Sequence, residues 1–290
     1  MRLGIVTPVV SLNPRAHGRW EQDAGIEEIA AVAEAADRLG YHHLTCSEHV
    51  AVPGAVEDRR GTRYWDPLAT FGYLAARTEQ VRFATHVLVL GYHHPLAIAK
   101  RYGTLDQVSG GRLILGVGVG SLEEEFALLG APFDDRGERA DDAIRALRAT
   151  LGRREPEYHG THYDIEGFVV DPTARRTAVP LWIGGRSYRS LRRAVELGDG
   201  WAPFGVSAEE LGEWVRRARE TEAWGARSEA LELVLYPDPY VDPVGDPAGT
   251  QELVGRYVDA GATILNLRFR HDSLGECLEQ MQEMVEIAGK

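Results

Sequence analysis

The chain has 290 residues, 44% of them hydrophobic and 26% charged, and a formal net charge of −12. That acidity argues against nucleic acid or an anionic membrane as a main partner. No apolar run approaches the roughly 20 residues of a membrane span. Two cysteines, Cys46 and Cys277, lie too far apart in sequence to suggest a disulfide scaffold, and read as reduced core residues of a cytoplasmic protein.

Residues 3–7 form an apolar first strand that stops at Pro8; Gly4, Thr7 and Pro8 interrupt any signal-peptide core. A polar loop over 11–23 leads to Ile26, Ile29, Ala30, Ala33 and Leu39, a helical spacing closed by Gly40. Strand two spans 42–47 and is followed at once by Glu48 and His49. The long loop to Tyr64 reads as a lid. Asp66 and Pro67 form an N-cap and N1 pair for the next helix. Strand three covers 81–89, and a helix from Pro95 to Val108 ends at Gly110-Gly111.

Strand four, 112–117, is a buried run of Leu113, Ile114, Leu115 and Val117. Gly116, Gly118 and Gly120 recur at every second position, so the backbone can approach another group closely at the strand's exit. Glu123, Glu124 and Glu125 then stand where a helix start favours acids. A Rossmann site would need this unit to open a domain and an acid closing a second strand about 20 residues on, whereas several strand–helix units precede it. A helix over 136–151 comes next. Residues 155–179 break the rhythm as an insertion, with hairpin arms expected at 158–163 and 166–170. Strands at 180–183, 199–202, 231–236 and 263–267 alternate with helices at 187–197, 208–224, 251–259 and 273–287. Eight strands, each trailed by a helix, predict one (β/α)8 barrel domain over 1–290.

Barrel enzymes assemble their sites at the C-terminal strand ends. That rule selects Pro8, Glu48 and His49, Thr85-His86-Val87, Gly118 to Ser121 including Gly120, Gly184-Gly185-Arg186, Trp201 to Phe204, Tyr236 and Arg268 to His271. Glu124, at the helix start after strand four, joins the candidates for the cofactor site. Glycines, histidines and aromatic rings with few carboxylates suit a large planar ligand better than a metal centre. No metal is expected: His42-His43 stand at the opposite end of the barrel and point to opposite faces, and His93-His94 open a helix.

Four segments, 33–50, 65–90, 94–126 and 179–201, carry a resemblance in their order and spacing. Among them are GYHHLTCSEHV, ATHVLVL, GGRLILGVGVGSLEEEF and PLWIGGRSYRSL. Through them the chain resembles the bacterial luciferase-like monooxygenases, most closely the branch that uses the deazaflavin coenzyme F420. The resemblance implies that Glu48 and His49 hydrogen-bond the cofactor or relay protons. It also implies a non-proline cis peptide at His86–Val87 behind the cofactor ring. Some relatives place a proton-donating Glu after strand four, where this chain has Ser121. That departure speaks against sugar-phosphate dehydrogenation.

Gly184-Gly185 opens the helix at Ser187, and its free N–H groups suit a phosphate. Arg186, Arg189 and Arg193 add cations on roughly one face. The expectation is hydride transfer between F420 and a small organic substrate. An FMN-dependent two-component monooxygenase and a non-catalytic flavin or deazaflavin carrier are the alternatives. A homodimer through residues 67–78 and 95–108 is also expected, because Ala69, Gly72, Ala75, Ala76, Ala97 and Ala99 permit close approach.

Overall fold

A computed structural model describes residues 1–289 apart from Arg15 and Pro239. Eleven strands occur among the described residues: β1 (Arg2–Ile5), β2 (His43–Cys46), β3 (Arg82–Thr85), β4 (Leu88–Val89), β5 (Leu113–Gly118), β6 (Tyr158–His159), β7 (Asp164–Ile165), β8 (Leu181–Gly185), β9 (Gly200–Pro203), β10 (Glu232–Leu235) and β11 (Ile264–Leu267). Parallel pairing runs from β3 through β2, β1, β11, β10, β9 and β8 to β5, and β5 pairs back onto β3. The sheet is therefore a closed eight-position barrel, and helices surround it. This is the closed barrel that eight strands, each trailed by a helix, predict.

The third position is broken in two. A cis peptide bond joins His86 to Val87, and β4 resumes beyond it against β5, with Leu88 opposite Val117 and Val89 opposite Gly118. The single strand expected over 81–89 is thus β3 and β4 with a rim bend between.

Two cores flank the sheet. Ala84, Ile114, Trp182, Ala202, Val234 and Ile264 fill the barrel interior, while a larger cluster packs between strands and helices. The interior is tapered by residue size. At its N-terminal end the His43 ring lies over Gly4, where an added Cβ would fall 1.9 Å from His43 Cε1. Trp182 stands edge-on to His43 at 4.9 Å and donates to Glu232 at 2.7 Å. This end is plugged, which leaves the C-terminal mouth for chemistry.

The insertion is a hairpin, as expected, but its second arm is Asp164–Ile165 rather than 166–170. The cause is Asp142 on helix Arg136–Thr150, which accepts from His162 N at 2.6 Å and Tyr163 N at 3.2 Å and so fixes the turn. Asp106 pins the far end: Arg176 donates to it from Nη2 at 2.6 Å and from its backbone N at 3.1 Å. The helix expected over 208–224 is two, Ala208–Arg219 and Glu222–Gly225, because Thr221 caps a new start by accepting from Trp224 N. The loop after strand two carries two helical turns, Gly54–Val56 and Glu57–Arg60.

Candidate active site

Strand β2 delivers Glu48 and His49 to the C-terminal mouth, yet the two side chains serve different partners. His49 Nδ1 lies 2.7 Å from Glu125 Oε2. Glu125 is fully buried and accepts three further hydrogen bonds, from Tyr92 OH at 2.7 Å, Val50 N at 2.6 Å and Ala51 N at 3.2 Å. Burial alone would raise its carboxyl. The Tyr92 and His49 hydrogen bonds, the His49 charge and the Ala51 N–H outweigh that and hold it below the ordinary carboxylate value. Tyr92 is pushed the other way, by burial and by the carboxylate it faces. The Tyr64 ring stands edge-on to His49 with centroids 4.5 Å apart.

Glu48 faces sideways. Its Oε2 accepts from Val89 N at 2.7 Å and its Oε1 lies 2.6 Å from His93 Nε2. Both carboxylate oxygens are thus committed to the protein, one fixing β4 and the other the start of helix Pro95–Val108. The acid beside His49 is Glu125, not Glu48. Glu124, the expected cofactor residue, is exposed. The helix Glu123–Leu128 turns its neighbour Glu125 inward.

Val87 is framed by glycines. An added Cβ at Gly118 would lie 2.6 Å from Val87 Cγ2, and one at Gly184 2.4 Å from Val87 Cγ1. Both glycines therefore make room for Val87, so that one valine between two bare backbones forms this part of the rim. Gly120, at φ +78°, would collide with Phe126 and Val89 if it carried a Cβ. Thr85 is buried and donates to Gly116 O at 2.6 Å, within the wall rather than at its surface. His86 Nε2 lies 3.3 Å from Ala202 O, and the exposed Phe204 ring stands edge-on to it at 6.4 Å. Arg60, in the loop after β2, reaches across to Ser121 Oγ at 3.3 Å. Val9, at the exit of β1, holds φ +72°, a conformation β-branched residues rarely adopt, with its N–H donated to the buried Glu21 at 2.7 Å. No pattern in the sequence marked Val9 or Glu21.

At the exit of β8, Gly185 (φ +136°) lets the chain turn tightly onto Ser190. Ser187 caps helix Tyr188–Leu197 by accepting from Ser190 N. The first-turn N–H groups of such a helix have no partners within it, and Arg186 and Arg189 are exposed beside them. Arg193 is not available to a ligand. It is buried and pairs with Asp141, and its Nη2 donates to Gly137 O at 3.2 Å. A separate cavity of about 230 Å³ lies between residues 205–209 and the Leu253 to Tyr257 turns. Among the described residues no group of three or more His, Cys, Asp or Glu could hold a metal ion. No helix there is long and apolar enough to cross a membrane.

A closed parallel barrel with a histidine, a buried carboxylate and a helix start at its C-terminal mouth has the architecture of a barrel enzyme. The family model for luciferase-like monooxygenases matches residues 1–280, and the chain belongs to that family. An uncharacterized protein of Mycobacterium tuberculosis is 29% identical over 252 residues, 82% of this chain and 84% of its own length. A 4-hydroxyprotoasukamycin monooxygenase of Streptomyces nodosus subsp. asukaensis is 25% identical over 297 residues, 89% of this chain and 76% of that one. Among solved structures, monooxygenase RslO1 from Streptomyces bottropensis superposes with a TM-score of 0.73 at 21% identity, covering 99% of this chain and 98% of that one. An F420-dependent secondary alcohol dehydrogenase in complex with an F420–acetone adduct gives 0.71 at 14%, covering 99% and 97%. These structural likenesses concern the fold.

Proposed function

We propose that this protein transfers hydride between reduced F420 and a small organic substrate carrying a carbonyl or enone. The observation that carries the reading is His49 at the barrel mouth, held through Nδ1 by the buried Glu125. The residues fit a tricyclic ring that bears a phosphate. Val87 between Gly118 and Gly184 forms a low wall for the ring, and Gly185, Arg186, Arg189 and the helix start offer an anion site. A reduced deazaflavin held there would supply hydride to a substrate carbon, and the substrate oxygen would then need a proton. His49 moves that proton at Nε2, while Tyr64 and the lid over 50–64 keep water away. Thr85, Gly120 and Ser121 support the pocket rather than the chemistry, and the exposed Glu124 is assigned no part in it.

A reduced-FMN monooxygenase is the second reading, favoured by the relative named a monooxygenase. FMN ends at its phosphate, whereas the F420 tail carries carboxylates, and Arg186 and Arg189 are cations placed for such a tail on an otherwise acidic protein. Titration of the protein with both cofactors at low and high salt distinguishes the readings. Tighter F420 binding that weakens with salt supports the first, and equal or stronger FMN binding insensitive to salt sinks it. Turnover of a carbonyl and enone panel then separates an enzyme from a carrier. We further propose a homodimer through helices Pro67–Ala75 and Pro95–Val108, since Ala69 and Ala76 are exposed and nothing stands within 4 Å of a Cβ built on Gly72. Sedimentation showing only a 32 kDa species argues against it.

A further inference from the structure

The Glu125 carboxylate receives four hydrogen bonds, and their arrangement has a chemical consequence for His49. One oxygen, Oε1, takes the backbone N–H groups of Val50 and Ala51, and the other, Oε2, takes Tyr92 OH and faces His49 Nδ1. An ionised carboxylate only accepts. A neutral His49 bonded to it must therefore carry its proton on Nδ1, which leaves Nε2 as a lone-pair acceptor. No hydrogen bond to His49 Nε2 occurs among the described residues, and the side chain keeps 16% of its surface exposed.

We propose that Glu125 is the positioning residue for His49, fixing the Nδ1–H tautomer so that Nε2 is the atom that exchanges a proton with substrate. This rests on the reading of His49 given above: the imidazolium form gives its Nε2 proton to the substrate oxygen and is left as the neutral Nδ1–H tautomer that Glu125 holds. Glu125 touches no substrate itself. Its second oxygen also ties down the first residues of the lid, so one buried carboxylate sets both the ring orientation and the start of the loop that covers it. A glutamine at 125 has the same shape but would present an amide N–H to His49 Nδ1, which favours the opposite tautomer.

Nitrogen-15 NMR of histidine-labelled protein without cofactor tests this directly. At a pH where His49 is neutral, Nδ1 should give the protonated-type resonance and Nε2 the unprotonated type. In Glu125→Gln the two should exchange character, and in Tyr92→Phe they should stay as in the wild type, because Tyr92 shares the carboxylate without touching the ring. An Nε2–H tautomer in the wild-type protein overturns the proposal, as does a Glu125→Gln spectrum identical to wild type. If Glu125→Gln fails to fold, the wild-type and Tyr92→Phe spectra still decide it. Cofactor titration is a separate readout, so loss of F420 binding with the expected tautomer would reject the functional reading and leave the positioning role standing.

Discussion

Glu48 Oε1 lies 2.6 Å from His93 Nε2, although the histidine next to it in the chain is His49. The same carboxylate takes Val89 N at 2.7 Å, so a single buried acid locks β4 to the start of helix Pro95–Val108. Glu48→Ala leaves a buried backbone N–H and an imidazole without their partner, a loss of about 1–3 kcal/mol. Glu48→Gln should lose less, because its carbonyl can still accept from Val89. Denaturant unfolding of both variants measures this, and an alanine variant as stable as wild type would remove Glu48 from the frame.

The glycines around Val87 should respond as a unit. A methyl group at Gly184 meets Val87 Cγ1 at 2.4 Å, and overpacking of this kind costs about 1–3 kcal/mol. Gly184→Ala is therefore expected to be destabilised and to bind cofactor less well. Val87→Ala in the same chain should recover a large part of the stability, since residues in contact couple rather than add. Strictly additive effects in the double-mutant cycle would refute the contact.

Asp106 holds the insertion to the barrel. Its side chain is fully buried, while Arg176 keeps 27% of its surface exposed. Breaking a wholly buried pair costs 3–5 kcal/mol, and partial solvation of Arg176 lowers the expectation for Asp106→Ala to about 1–3 kcal/mol. Hydrogen exchange should quicken over residues 155–179 before it does in the strands. Uniform exchange across the chain would show that the insertion is held by other contacts.

His43 predicts the acid side of the stability curve. Burial, followed by the charges of His42 and His86, lowers its affinity for protons well below that of an ordinary histidine. Above about pH 6.5 both folded and unfolded forms are neutral, and nothing is gained or lost. Below it the unfolded chain takes up a proton that the folded ring refuses, so stability falls as pH drops, by up to about 1.4 kcal/mol per pH unit from this one group. His43→Phe should flatten the decline between pH 6.5 and 5 whatever its stability at pH 7. An unchanged slope in urea titrations at several pH values would contradict the assignment.

Arg186 and Arg189 should act on cofactor binding, and Arg193 on folding. Alanine at either exposed position is expected to weaken F420 binding about two- to fivefold at low salt and less at high salt. Arg193→Ala breaks a buried contact with Asp141 and Gly137, so its unfolding midpoint should drop. Equal effects of all three on F420 binding, with no change in stability for Arg193→Ala, would restore Arg193 to the anion site.

Local chemistry by itself determined the barrel. Several strands, such as Leu113–Gly118, are apolar runs because parallel strands are covered on both faces, and several helices announce their starts, as Asp66 does by accepting from Ala69 N and Ser273 from Glu276 N. The alternation of eight such units leaves few ways to close. Side-chain partnership was decided only in three dimensions. Glu125 is 76 residues from His49, Glu48 is 45 from His93, and Arg193 is 52 from Asp141. In each case adjacency or helical spacing in the chain suggested a different partner or role. A carboxylate takes whichever donors barrel closure brings within 3 Å of it, and a side chain at the end of a strand can turn towards either neighbouring strand. That choice depends on the twist and stagger of the closed sheet, to which every strand contributes and which no local stretch encodes.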